Sequence, residues 1–345
     1  MLIRDSASGF SCKKYESSHP GHRAARGIAR FPGRLYFGTN RSPRIVDSSD
    51  DQMPELPDIT IYQEALRSRL VNRRLERVRI VSPSILKTAD PPITDAAGRM
   101  VREIARLGKQ IIISLDDDVH LVIHLMIAGR FHWKQPGAAP NRKITHALFD
   151  FPDGTLALTE ASSKKRASLS FVRGKDSLRA FDRGGLEVLS AAFDDFASAL
   201  HRENHTVKRA LTDPRLFSGI GNAYSDEILH CARISPLKWT NRLADAEQHA
   251  LFTAARSVMT GWIDRLRKES ADAFPENVTA FREEMAAYGK FGKPCPVCGT
   301  PIRRIVYADN ECNYCPRCQT GGMLLADRSL SRLLRGDWPR SIDET

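Results

Sequence analysis

The chain has 345 residues, 41% of them hydrophobic and 27% charged, with a formal net charge of +11 and an isoelectric point near 9.5. No stretch approaches the ~20 apolar residues a membrane-spanning helix requires; runs such as Leu121 to Leu125 are strand-length, so the reading is a protein with no membrane partner. The length suffices for two or three domains with a sizeable core, and the positive charge favours a polyanionic partner, of which nucleic acid is the commonest.

Residues 1–52 are rich in Ser, Arg and Gly and lack periodicity, so a disordered or extraneous N-terminal extension is expected there. They lack the apolar core of a secretory signal, and Asp5, Glu16, Asp47, Asp50 and Asp51 argue against a transit peptide. From Met53 the texture changes. Pro57 and Asp58 suit a helix start, and Ile59 to Leu70 carries apolar residues at helical spacing. Strand-like runs follow at Leu75–Val81, Gln110–Leu115, His120–His124, Ala147–Phe151 and Leu156–Thr159, separated by turn signals such as Asp116-Asp117-Asp118 and Pro152-Asp153-Gly154. Gln135–Lys143 reads as a loop. After Gly184-Gly185 the pattern is helical: Phe193–Arg202, His205–Leu211, Asn222–His230, Ala244–Lys268 and Val278–Ala286.

Five of the seven cysteines crowd into one segment, which indicates a metal site in a reducing compartment and not a disulfide framework. Cys295-Pro-Val-Cys298 and Cys315-Pro-Arg-Cys318 form two knuckles with a β-prone spacer, Ile302–Tyr307, as in a zinc ribbon. Four thiolates close a tetrahedral shell, so one structural Zn²⁺ is expected on Cys295, Cys298, Cys315 and Cys318. Cys312 is a fifth thiol nearby and reads as a spectator, with alternative ligation open.

Three further segments, in order, resemble the Fpg/Nei family of DNA glycosylase/AP lyases. They are Met53-Pro-Glu-Leu-Pro-Asp58, Leu107-Gly-Lys109, and Lys208 followed by Leu216-Phe-Ser-Gly-Ile-Gly-Asn-Ala-Tyr-Ser-Asp-Glu-Ile-Leu229. With the ribbon, the resemblance covers about residues 53–325. It implies an α+β multidomain fold: a β-sandwich catalytic domain with flanking helices (53–183), a helix–two-turn–helix DNA-binding domain (184–288), a zinc ribbon (289–325) and a tail (326–345). It implies base-excision repair of damaged double-stranded DNA by a monomer, in the cytoplasm at the nucleoid.

The resemblance also implies roles. The secondary amine of N-terminal Pro54 attacks the sugar C1′, expels the damaged base, forms a Schiff base and supports β/δ elimination. Glu55 acts as acid/base at the sugar ring oxygen, and Lys109 assists at the sugar or its phosphate. Lys208 and Asn222 grip phosphates flanking the lesion, Asn222 opening a helix whose N–H groups favour an anion. Ile127, in His124-Leu-Met-Ile-Ala-Gly129, takes the intercalating position, with Met126 adjacent. Were Pro54 internal in the working protein, its nitrogen would be a tertiary amide with no lone pair to donate, so Met53 is read as the initiator, removed to free Pro54.

Three departures bear on substrate. The wedge region reads Glu160-Ala-Ser-Ser-Lys-Lys-Arg-Ala-Ser168, where Lys164, Lys165 and Arg166 keep the charge but the aromatic is missing. Asn310 stands where the family's ribbon hairpin carries Arg. Asp58 replaces a common Glu. Two other readings compete: a non-catalytic damaged-DNA-binding protein of the same fold, and a general zinc-ribbon nucleic-acid-binding factor. Lesion preference in salt-dependent binding separates them.

Overall fold

The computed structural model describes residues 53–344 except 272, 277, 280, 281, 308, 309 and 327–339. The expectations for residues 1–52 and for most of the tail lie outside the described residues.

Helix α1 (Leu56–Leu70) begins with Pro57 in its first turn, where the missing N–H costs nothing, and Asp58 Oδ2 accepts the Glu55 N–H at 2.9 Å as a cap. It starts three residues earlier than its apolar spacing suggested. Two four-stranded antiparallel sheets follow. One has the order β1 (Arg77–Ile80), β6 (Thr145–Phe151), β7 (Gly154–Glu160), β5 (Gly129–Lys134); the other has β2 (Val101–Leu107), β3 (Gln110–Leu115), β4 (Val119–His124), β8 (Ser168–Arg173). Their inner faces meet in a core that includes Ile104, Ile113, Leu121, Phe131, Phe149, Leu158 and Phe171. Strands β2, β5 and β8 escape the sequence reading. All three are sheet edges, where a strand is covered on fewer sides and tolerates the charges of Arg102-Glu103, Arg130 and Arg173.

After a short helix α2 (Lys175–Arg179), the helical domain comprises α3 (Phe193–His201), α4 (Val207–Thr212), α5 (Asn222–Ala232) and α6 (Asp245–Ser270), close to the expected ranges. The described residues of Val278–Ala286 form no helix. Glu227 of α5 takes the N–H groups of Ala286, Ala287 and Tyr288 at 2.8, 2.8 and 2.9 Å, which draws those amides away from a helical ladder. The ribbon hairpin, β9 (Arg303–Tyr307) and β10 (Asn310–Tyr314), leads into α7 (Pro316–Thr320).

Helix α1 joins the two domains. Ile59, Tyr62, Leu66 and Leu70 pack in the sandwich core, whereas Leu56 and Ile61 pack in the helical core with Phe217, Ile220, Tyr224 and Leu266. Its first turn, which follows Pro54 and Glu55, is therefore fixed between both domains.

Candidate active site

Pro54 and Glu55 are both buried. The next amide, Leu56 N–H, donates to the Gly219 carbonyl at 2.9 Å. Gly219 has φ +77°, and a Cβ there would lie 2.8 Å from Leu56 Cβ, so only glycine lets the turn close on α1. The Glu55 carboxylate then sits on the N-terminus of α5. Its Oε2 accepts from Gly221 N–H at 2.6 Å and Tyr224 N–H at 3.3 Å, and its Oε1 accepts from Ala223 N–H at 2.9 Å. Helix-start amides have no partner within their helix and favour an anion. The anion they hold here is Glu55, where the sequence pointed to a phosphate beside Asn222.

Lys109 occupies the tight turn joining β2 and β3. A Cβ on Gly221 would overlap both Lys109 Nζ and the Glu55 carboxylate, so ammonium and carboxylate lie together against the Gly221 backbone. Burial holds the Lys109 pKa below the ordinary lysine value, Lys208 adding to this and Glu55 and Asp58 opposing it. Pro54, Glu55 and Lys109 thus gather at one place although 55 residues of sequence separate the first from the last.

His124 ends β4 opposite Gln110, and burial, with Lys109 contributing, lowers its pKa to about 4. Its Nδ1 accepts the Met126 N–H at 2.9 Å, so the neutral ring carries its proton on Nε2 as a donor. In the sequence His124 stands out only as a strand end; the signal for its role is its place across a hairpin from the Lys109 turn. The following turn holds Met126 at φ +54° and leaves Met126 and Ile127 partly exposed between buried Leu125 and Ala128.

The other predicted residues lie on two surfaces. In the β7–β8 loop, buried Glu160 accepts the N–H groups of Arg166 at 2.9 Å and Ala167 at 3.2 Å, which knots the loop and leaves Lys165 and Arg166 exposed. Lys165 Nζ donates to the Glu160 carbonyl. Lys208 is largely buried: its Nζ donates to Asp226 Oδ1 at 2.5 Å and to the Asn222 carbonyl at 2.7 Å. The Asn222 side chain donates to the Glu311 carbonyl of the ribbon at 2.8 Å. Asn310 pairs with Tyr307 at the start of β10, and its side chain lies outside the described residues.

One turn along α1 from Glu55, a cavity of about 210 Å³ is lined by Asp58, Ile61, Leu266, Phe274, Val278 and Arg282, among others. Asp58 Oδ1 and Arg282 Nε are buried there without a hydrogen-bond partner among the described residues, and Arg282 Nη2 lies 3.8 Å from Asp58 Oδ1. Burial raises the Asp58 pKa from 3.8 to about 6, against the Glu55 amide and Arg282. A carboxyl whose folded pKa is raised stabilises the fold fully below its unfolded pKa and loses that contribution as pH rises through the folded one. Over a window from 3.8 to about 6 this amounts to roughly 3 kcal/mol. Asp58→Asn keeps an acceptor for the Glu55 amide and is expected to gain stability relative to wild type as pH rises from 4 to 7. Thermal melts of both proteins across that range check this; a constant difference would refute it.

The Sγ atoms of Cys295, Cys298, Cys315 and Cys318 lie within 4.8 Å of one another, including pairs at 3.9 and 3.4 Å, which suits four thiolates around one tetrahedral ion. The ribbon is a structural zinc site. Cys312 faces Asp226 instead and is not in the cluster. Cys298→Ser is expected to lower zinc content below one ion per chain and weaken DNA binding at least ~10-fold, read by metal analysis and fluorescence titration.

The sandwich, the helix–two-turn–helix unit with a carboxylate on its second helix, and the zinc ribbon together define a DNA glycosylase of base-excision repair. The formamidopyrimidine-DNA glycosylase N-terminal domain matches residues 53–165, the formamidopyrimidine-DNA glycosylase H2TH domain 185–272, and the zinc finger found in FPG and IleRS 292–321. The chain belongs to the formamidopyrimidine-DNA glycosylase family. It is 32% identical to the formamidopyrimidine-DNA glycosylase of Symbiobacterium thermophilum, over 85% of this chain and 98% of the relative, and 33% identical to that of Heliobacterium modesticaldum, over 77% and 100%. Among solved structures it is similar to Lactococcus lactis Fpg in complex with abasic-site DNA (27% identity, TM-score 0.69, covering 77% of this chain and 99% of the other). A variant of the same protein bound to Fapy-dG-containing DNA matches at 27% identity and TM-score 0.69, over 77% and 100%.

Proposed function

We propose that the chain, working with Pro54 as its amino terminus, excises oxidised bases from double-stranded DNA and then cleaves the strand as an AP lyase. The observation that carries this reading is the Glu55 carboxylate, directly after Pro54, held by three amides at the start of α5 (Gly221, Ala223 and Tyr224), with the Lys109 ammonium beside it. In the proposed reaction the Pro54 amine attacks C1′ and the base leaves with the glycosidic electron pair and a proton. Opening of the sugar ring, with Glu55 exchanging a proton at the ring oxygen, gives the iminium. Loss of a C2′ proton then expels the 3′ phosphate, and a second elimination expels the 5′ phosphate. Lys109 stabilises the negative charge that develops on the sugar oxygen or its phosphate.

The Asp58–Arg282 cavity suits the extruded base, since its Asp58 also holds the Glu55 N–H and it offers an acceptor and a donor without hydrogen-bond partners among the described residues, with the Phe274 ring. Ile127 and Met126 would fill the gap left in the stack, and Lys165, Arg166, Asn222 and Asn310 would touch the backbone or opposite strand. Lys208 would have to leave Asp226 to reach a phosphate. We assign the protein to the cytoplasm at the nucleoid, as a monomer.

Glu55→Gln is expected to lower single-turnover cleavage of a lesion duplex by ~10²–10⁴-fold while binding is kept. Lesion-selective binding by wild type without any strand cleavage would favour the non-catalytic damage-binding alternative instead.

A further inference from the structure

Asn222, Asp226 and His230 follow one another at four-residue spacing, so their side chains leave α5 on one face. All three bind the ribbon. Asn222 Nδ2 donates to the Glu311 carbonyl at 2.8 Å; Asp226 Oδ2 accepts from the Asn313 N–H at 2.7 Å and its Nδ2 at 3.2 Å; His230 Nε2 lies 3.2 Å from Cys295 Sγ. The first turn of the same helix supplies the amides that hold Glu55. Asp226 stands between the two sets. It is fully buried, its other oxygen is ion-paired with Lys208, and Lys208 in turn holds the Asn222 carbonyl. A helix of 11 residues is a rod of about 16 Å that cannot shift along one set of bonds without disturbing the other.

We propose that Asp226 is a positioning residue: by holding β10 to α5 it sets the α5 amides under Glu55, so the state of the zinc ribbon is transmitted to the catalytic carboxylate. This goes beyond the ribbon as a DNA grip and rests on the reading of Glu55 as the acid/base group. Asn at 226 still accepts the Asn313 amide, so Asp226→Asn is the conservative variant and Asp226→Ala the disruptive one.

The experiment follows four quantities in the chain starting at Pro54: zinc content, DNA affinity, the single-turnover rate at saturating abasic duplex, and hydrogen exchange at the Ala223 and Tyr224 amides. For Asp226→Ala the expected result is one zinc per chain, a saturated rate about 10-fold lower and faster exchange at both amides, with Asp226→Asn restoring most of the rate and the protection. Leu200→Ala, which loosens the same helical core without touching the ribbon, should leave that exchange near wild type. Weaker DNA binding with rate and exchange unchanged overturns the proposal. If Asp226→Ala loses its zinc or fails to fold, wild type titrated with a zinc chelator gives the same exchange readout, and unchanged protection at Ala223 and Tyr224 again overturns it. Exchange needs no turnover, so an inactive wild type would count against the assigned reaction while the coupling is still decided.

Discussion

Protein that begins at Pro54 should form a covalent adduct with an abasic duplex in the presence of sodium borohydride, and protein that retains residues 1–53 should form none. An iminium requires a nitrogen with a lone pair and room for a double bond to carbon. Free proline provides a secondary amine; a Met53–Pro54 peptide provides a tertiary amide. An α-amine starts with a pKa near ~8, so an ordinary fraction is unprotonated at neutral pH. The site gives that amine a fixed place: Pro54 is buried, the following residues are tied to Asp58 and to Gly219, and the Glu55 carboxylate next in the chain lies beside Lys109 Nζ. Intact-mass analysis of protein purified from its own host supplies the companion result, a chain starting at Pro54. Full-length protein that traps as much adduct as the shortened form would remove Pro54 from the mechanism.

Gly221→Ala should reduce cleavage at saturating DNA by at least ~10²-fold, since displacement of reacting groups by an ångström has that order of effect. Gly221 has φ −133°, a conformation open to alanine, so the backbone itself gives no reason for loss. The conflict is with the two neighbours, Lys109 Nζ and the Glu55 carboxylate, whose positions the new methyl group would claim. Alanine must push one of them away. The melting temperature should therefore change far less than the rate. A variant with near-normal turnover would show that Glu55 and Lys109 act from positions other than these.

Much of the architecture was legible because it rests on local pattern. Central strand β3 falls within its expected limits, and α3, α5 and α6 agree within a few residues, since each is driven by apolar periodicity that burial enforces. Edge strands β2, β5 and β8 were illegible for the converse reason. The segment from Val278 to Ala286 misled because its apolar spacing is helical, while its last amide, Ala286 N–H, and the two amides after it are taken by Glu227 from elsewhere in the chain. In the site, motif residues Pro54, Glu55 and Lys109 could be picked out by kind and order. Their mutual support could not. Glu55 meets Gly221 across 166 positions and Asp226 meets Asn313 across 87, and no local rule relates such pairs. The space that Gly221 leaves for two side chains, and the unpartnered Asp58 and Arg282 atoms, likewise exist only once the chain has closed on itself.

Helix α1 also limits how this protein can be recombined with its relatives. It belongs to the amino-terminal domain by chain order, yet Leu56 and Ile61 complete the core of the domain that follows. A chimera that joins a foreign sandwich to this helical domain would import a first helix shaped for other neighbours, and its mismatch would fall on the turn that carries the reactive end. Swaps within this fold must therefore exchange α1 together with α5 and α6, so that inheritance of the active site follows the packing and not the domain boundary.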